Sequence, residues 1–405
     1  MPFPRSRILV LGYLVRGPLG GLAWHHLQYV VGLCRLGHTV LFLEDSGDYP
    51  SCYDPARGVT DDDPSYGLAF ADRAFSRLGM PDRWAYRDTR SARWLGPAAE
   101  SVEREIAEAD ILINLSGVNP LRPLLSRVPH RVLVDTDPVF TQIRNLQDDT
   151  AREEAARHTA FFSFGENVRS ERGSIPDDRF RWLPTRQPIV LDLWPVESPP
   201  SGRRRFTTVM QWSSYPAVEF AGVRYDMKSR SFLEYTELPG RTDAVLELAL
   251  GSPDAPREEL QSRGWVITDP LKVTLDPWTY QSYLRGSSAE FSVAKHGYVA
   301  ARSGWFSERS AAYLASGRPV LAQETGFSDW LPTGSGVLPF STFDEAVGAL
   351  DALDSEYELH CRAAREIAAE LFDSARVLNS LLERATGTLD PGVARINQAH
   401  SEALP

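Results

Sequence analysis

Lysine is nearly missing from this 405-residue chain: of its 43 basic residues, only Lys228, Lys272 and Lys295 are not arginine. With frequent Ala, Leu and Pro, that bias suggests a GC-rich coding sequence, and it makes a lysine at a loop tip conspicuous. Cysteine is scarce too. Cys34, Cys52 and Cys361 lie far apart, with no C-x-x-C and no paired His/Cys spacing. That pattern excludes a disulfide framework and a structural zinc site. No apolar run approaches the ~20 residues that cross a bilayer, so no membrane span is expected. The start "MPFPRSRILVLGYL" lacks a signal-peptide cleavage pattern, which points to a cytoplasmic location. The net charge of −11 argues against a nucleic-acid partner, because phosphate backbones are bound by clustered cations.

What is present suits two packed cores. Apolar residues make up 42%, and the length fits two domains better than one. "RILVLGYL" (7–14) is a continuous apolar run ending the way a strand buried on both faces ends. A glycine loop follows, then "HHLQYVVGLCRLGH", in which Ala23, Leu27, Val30 and Cys34 share a helical face. "TVLFLED" (39–45) is a second buried strand, so the three make a right-handed βαβ unit and a parallel sheet. Further strands are expected in 109–117, 130–138 and 160–167. The Asp-, Pro-, Trp- and Tyr-rich stretch 46–100 has no clean period and reads as an elaborated loop region with short helices.

Proline-rich "LPTRQPIVLDLWPVESPPSGRRR" (183–205) marks a linker. A second α/β series follows, with strands expected at 206–212, 245–251, 264–268, 289–294 and 318–323. The predicted division is 1–190, a linker 191–205, a second domain 206–375, and a terminal helix with a polar tail, 376–405. The fold class is α/β: two Rossmann-like, doubly wound domains facing across a cleft. Ligands of such sheets bind at the carboxyl ends of the strands, where candidate site residues are sought.

The densest donor chemistry lies in "KHGYVAARSGWFSERSAAYLASGRPVLAQETGF" (295–327). Lys295 follows a strand and is expected to reach the cleft. Ser303 or Ser307 can cap the next helix, and Gly304 permits close approach of backbone to a ligand. That helix start, with Arg302 and Lys295, suits a diphosphate, and Glu308 suits two ribose hydroxyls. Singly, Lys295, Arg302 and Glu308 read as surface ion-pair partners; together they read as a phosphate-and-ribose site. Thr325, Gly326 and Phe327 form the following loop, with Phe327 toward a sugar. Trp212 and Ser213 exit the first strand of the second half, Trp212 as cleft-lining core or as a stacking platform. Asp135 and Asp137 end a first-half strand and are expected to point at the cleft, and Asn167 follows the same logic.

The segment "LASGRPVLAQETGF" resembles the A-x-G-x-P-V and glycine loop of nucleotide-sugar-dependent GT-B glycosyltransferases. The resemblance covers the second half and, less fully, the first βαβ unit. There Gly20-Gly21 and Gly37-His38 match a "GG…H…GH" pattern that places its histidine at His25. It implies a nucleoside-diphosphate-sugar donor, a small-molecule acceptor such as a specialised metabolite, and no metal or other cofactor. It also implies a basic residue at Lys228 against the diphosphate. Gly21 and His25 would lie at the cleft edge, with His25 as base and Asp135 or Asp137 orienting it or binding acceptor hydroxyls. On the helical wheel His25 also reads as solvated, and His26 as a core histidine or a catalytic one. In many retaining members two glutamates stand where this chain has Gly304 and Ala312, so retention and inversion both stay open. Two alternatives share the architecture: a non-hydrolysing nucleotide-sugar epimerase and a catalytically silent scaffold. A dinucleotide oxidoreductase fits less well, because "LGYLVRGPLGG" is not a clean G-x-G-x-x-G.

Overall fold

A computed structural model describes residues 3–48, 51–198 and 200–387. An eight-stranded sheet occupies the first half. Its spatial order is Trp182–Pro184, Ala160–Ser163, His130–Asp135, Ile111–Leu115, Arg7–Leu11, Thr39–Asp45, Trp84–Asp88 and Arg93–Leu95. All neighbours are parallel except the last pair. The central strands read as unbroken apolar runs because both faces are covered. Ile8, Val10, Phe42 and Ile113 pack in the cluster that includes helix Gly20–Arg35, while Leu9, Leu11, Leu43 and Leu112 pack in another on the opposite face. Stretch 46–100 carries a helix, as expected of it, but also strands that were not anticipated. It holds a hairpin (Cys52–Asp54 with Val59–Asp61), a helix Ser65–Arg77 and the two edge strands.

A six-stranded parallel sheet forms the second half, in the order Val266–Thr268, Val245–Gly251, Arg205–Gln211, Ala289–Ser292, Val320–Gln323, Val337–Phe340. Each strand anticipated from sequence is present, seven of the ten shorter by two to four residues. The strands at 182–184 and 337–340 and the hairpin 218–225 were not anticipated.

The chain then crosses back. After helices Phe343–Ser355 and Tyr357–Ile367, a π-helical turn Ala368–Phe372 leads to helix Ser374–Thr386. This last helix lies on Gly20–Arg35 of the first half, with Leu378 against Gly32 and the Phe3 amide donating to Asn379 Oδ1 at 3.4 Å. The polar tail expected after it lies outside the described residues. One apolar cluster runs through both halves, joining Phe140, Tyr298, Trp305 and Leu378. No helix among the described residues is long and apolar enough to cross a membrane.

Candidate active site

The carboxyl ends of the two sheets meet in a seam, and helix Gly20–Arg35 brings His25 into it. The wheel's solvated alternative for His25 does not hold: the residue is buried, because the second half covers this helix. Trp24 Nε1 donates to Pro277 O at 2.6 Å. A Cβ on Gly20 would lie 2.3 Å from Asp276 O, and Gly21 sits against the Tyr280 ring. Gly21 therefore lets two halves of the chain touch, where a ligand contact was expected. His26 is a satisfied core histidine, with Nδ1 on Leu22 O at 2.8 Å and Nε2 accepting from the Tyr13 amide at 3.3 Å.

The tautomer of His25 follows from its neighbours. Gln187 Nε2 donates to two carbonyls, His25 O and Pro188 O, both at 3.1 Å. That fixes its Oε1 toward His25 Nδ1 at 2.6 Å, so Nδ1 carries the hydrogen. His25 Nε2 is left as a buried acceptor with no donor. Burial holds the ring's pKa below its ordinary value, partly countered by the nearby Glu308 charge and the Gln187 hydrogen bond. The imidazole is neutral at pH 7.

Glu308 is the first residue of helix Glu308–Ala315. Of the two candidate caps, Ser307 acts, its Oγ accepting from the Arg309 amide at 3.2 Å. The next residue, Arg309, turns inward: its Nε donates to Glu290 Oε1 at 2.5 Å and Nη1 to Val209 O at 2.7 Å, locking the helix to two strands of the sheet. Lys228 approaches the same ground. Half-buried, it makes no ion pair or hydrogen bond among the described residues. Desolvation, then the Arg309 charge, pulls its ammonium pKa down to about 7, while Glu308 and Glu290 oppose the fall. Glu308 is thus within electrostatic reach of both Lys228 and His25, and the three come from separate elements.

Other anticipated residues are placed elsewhere. Lys295 spans the seam to Asp137, Nζ to Oδ1 at 2.8 Å, and also donates to the Tyr215 hydroxyl at 2.8 Å. Tyr215 and Tyr298 donate to the same carboxylate. Asp137 thus meets three donors from the second half and does not orient His25. Asp135 is buried and takes Ser163 Oγ, Thr141 Oγ1, Gln142 Nε2 and the Asp137 amide, all within 3.1 Å. Its carboxylate serves the strand end, not the cleft. Asn167 ties the halves together: its amide donates to Ser303 O at 3.1 Å, and Nδ2 to Arg302 O at 3.0 Å and Gly326 O at 3.1 Å.

Gly304 and Gly326 have positive φ, and a Cβ on either would lie under 3 Å from Asn167 atoms, so they admit protein backbone where a ligand was expected. Arg302 is exposed and pairs with Asp329 at 3.3 Å. Thr325 Oγ1 donates to Trp305 O at 2.5 Å, and Phe327 packs on Phe306. Trp212 is core beside Phe232, which settles its two readings, and Ser213 Oγ donates to Asp254 at 2.6 Å. Sequence reasoning missed Tyr215, Tyr298, Arg309 and Gln187. The tyrosines stood in "WSSY" and "KHGY", beside residues already singled out.

The first half holds one further clue. The Glu44 carboxylate accepts from the amides of Leu14, Val15 and Arg16 at 2.6, 2.7 and 2.8 Å, and from Arg16 Nε at 3.2 Å. These are the amides that follow the first strand, where a dinucleotide-binding fold would seat its pyrophosphate. An internal carboxylate occupies them.

No family model and no curated protein matches the chain. Solved structures do match, over nearly the whole length. AviGT4, a glycosyltransferase involved in avilamycin A biosynthesis, is 14% identical over 94% of this chain and 97% of its own, with a TM-score of 0.52. An alpha-glucosyltransferase in complex with UDP and a 13-mer DNA is 11% identical over 95% and 100%, at 0.57. Anabaena HepE in complex with UDP is 12% identical over 95% and 100%, at 0.54. The chain has the GT-B glycosyltransferase fold. In GT-B terms the first eight-stranded sheet is the amino-terminal half, the six-stranded sheet is the carboxyl-terminal half, and helix Ser374–Thr386 is the crossing segment that returns to the first.

Proposed function

We propose that this protein is a glycosyltransferase that moves a sugar from a nucleoside-diphosphate sugar to a small-molecule acceptor. The observation that carries it is Glu308 in a GT-B fold, within electrostatic reach of both Lys228 and His25. An ammonium held near pKa 7 without a partner is a cation awaiting an anion, and a leaving diphosphate supplies one. Glu308 accepts ribose hydroxyls. His25 Nε2 accepts a hydroxyl of the transferred sugar or of the acceptor; as a base it would gain a proton that Glu308 stabilises. Lys228, not a metal, meets the developing charge. The donor belongs to the second half, because Glu44 fills the corresponding amides of the first. Domain limits of 1–190 and 206–375, joined through 191–205, go with this division of labour, as does a cytoplasmic site of action. UDP in two of the similar structures supports the donor class. One of those is bound to DNA, but the net charge of −11 favours a small molecule here, as does the biosynthetic role of AviGT4.

A silent scaffold is the second reading. It draws on the Lys295–Asp137 pair, which satisfies within the protein two charges expected to face substrate. Thermal-shift titration with UDP, GDP, ADP and dTDP, and with their glucose conjugates, tests both. Stabilisation by one base is expected, weakened at least about tenfold by Lys228→Ala, since a charged hydrogen bond contributes about 1.5–3 kcal/mol. No shift with any nucleotide would establish the scaffold. Conversion of the donor sugar without an acceptor would indicate an epimerase.

A further inference from the structure

The two passages of chain that run between the halves meet beside a cavity of about 370 Å³. One is the linker at 190–192; the other is 373–375, where the crossing helix Ser374–Thr386 begins. They pair with each other there, the Ile189 amide donating to Phe372 O at 2.6 Å and the Ser374 amide to Ile189 O at 2.9 Å. The last turn of helix Gly20–Arg35 closes a third side. Arg35 stands roughly 15 Å along that helix from His25, so the cavity is separate from the site proposed for the nucleotide sugar.

Two side chains on its wall keep hydrogen-bond donors that nothing in the described residues takes up. Arg365 gives both hydrogens of Nη1 to carbonyls, Trp194 O at 3.0 Å and Ala315 O, and one of Nη2 to Leu191 O at 3.2 Å. Its Nε–H and the second Nη2 hydrogen have no acceptor, and no carboxylate pairs with it, among the described residues. Ser374 is 7% exposed, and its hydroxyl makes no hydrogen bond among the described residues. The fold seals other unpartnered atoms from solvent, such as Arg285 Nε and the Tyr29 hydroxyl, but not these.

The acidic groups at the cavity are already engaged. Asp192 is exposed and pairs with Arg35 at the rim. Asp373 Oδ1 caps the crossing helix, accepting from the Ala375 and Arg376 amides at 3.0 and 3.2 Å. Arg365 is left as the cation without a counter-ion, near a free hydroxyl and the positive end of a 13-residue helix. A carboxylate answers these features together. Its two oxygens match adjacent N–H groups of a guanidinium, and one also accepts from the Ser374 hydroxyl. The two aspartates limit the charge, so a monoanion is accommodated where a phosphate dianion is repelled. The volume falls within the ~300–1,000 Å³ of small-molecule sites. We propose that this cavity binds a small monocarboxylate at the junction of the two crossings.

Thermal-shift titration of the full chain at constant ionic strength tests this with sodium lactate, pyruvate, glycerate and glucuronate, with inorganic phosphate, and with lactamide and glucuronamide as uncharged counterparts. At least one carboxylate is expected to stabilise the protein saturably, and neither amide. Ser374→Ala is expected to weaken that binding about tenfold, by removing one hydrogen bond to a charged group. Ala375→Glu, which adds a carboxylate to the cavity wall and suits the start of a helix, is expected to abolish it. Arg365 stays in place in both variants, because its carbonyl bonds hold the linker. The outcome does not depend on nucleotide binding, so failure here leaves the transferase proposal standing, and the reverse. No saturable stabilisation by any carboxylate, equal stabilisation by the amides, tighter binding of phosphate than of every carboxylate, or binding undiminished in either variant overturns the proposal.

Discussion

Lys228 shows how a single residue's surroundings set its use. Desolvation and Arg309 lower its pKa to about 7, so near neutral pH the free protein carries the ammonium only part of the time. A bound diphosphate would favour the charged form and raise that pKa. Binding then takes up a proton above pH 7, and affinity for the nucleoside diphosphate falls as pH rises from 7 toward 8.5, by up to about tenfold per unit. Calorimetric titration across that range is expected to show the slope in the parent protein and its loss in Lys228→Met. Lys228 and His25 were singled out in the sequence through the resemblance to GT-B proteins, His25 by the "GG…H…GH" pattern. Lys295 was equally conspicuous, yet its partner stands 158 positions away, beyond any local pattern.

At the scale of elements, long buried strands and amphipathic helices announce themselves by composition and period. Thr39–Asp45 and Val245–Gly251 have the limits read from sequence. Three-residue strands such as Trp182–Pro184 and Arg93–Leu95 are too short to show a period of two, which is why stretch 46–100 passed for loop. The turn after the first strand is built on Glu44, a residue of the second. Glu44→Ala would leave three amides of that turn without their acceptor. A loss of about 3–5 kcal/mol is expected in urea unfolding. Nucleotide affinity should stay unchanged, because in this protein the turn holds its own carboxylate.

For the whole molecule, the seam is more than a hinge line. The apolar cluster running from Phe140 to Leu378 includes residues of both halves, and helix Ser374–Thr386 docks on the half opposite the one it follows in sequence. A shared core of this kind couples the two sheets. One guanidinium unfolding transition is expected, seen alike by tryptophan fluorescence and circular dichroism; two separated transitions would contradict it. Lys295 and Asp137 add a polar tie with partly exposed side chains, which limits its strength. A double-mutant cycle with Lys295→Met and Asp137→Asn should give a coupling of about 1 kcal/mol.

The sequence by itself determined the two α/β halves, the parallel sheets and the resemblance to GT-B proteins, because burial on both faces and helical period are local properties that composition records. Only the tertiary structure decided which charges face each other and which stay without a partner. Lys295 and Asp137 satisfy one another, Asp135 and Glu44 serve the backbone, and Lys228, Glu308 and His25 are the residues the proposed function uses. The physical reason is desolvation. A charged group near a packed seam takes whichever partner the fold brings within reach, and that choice is made in space, not along the chain.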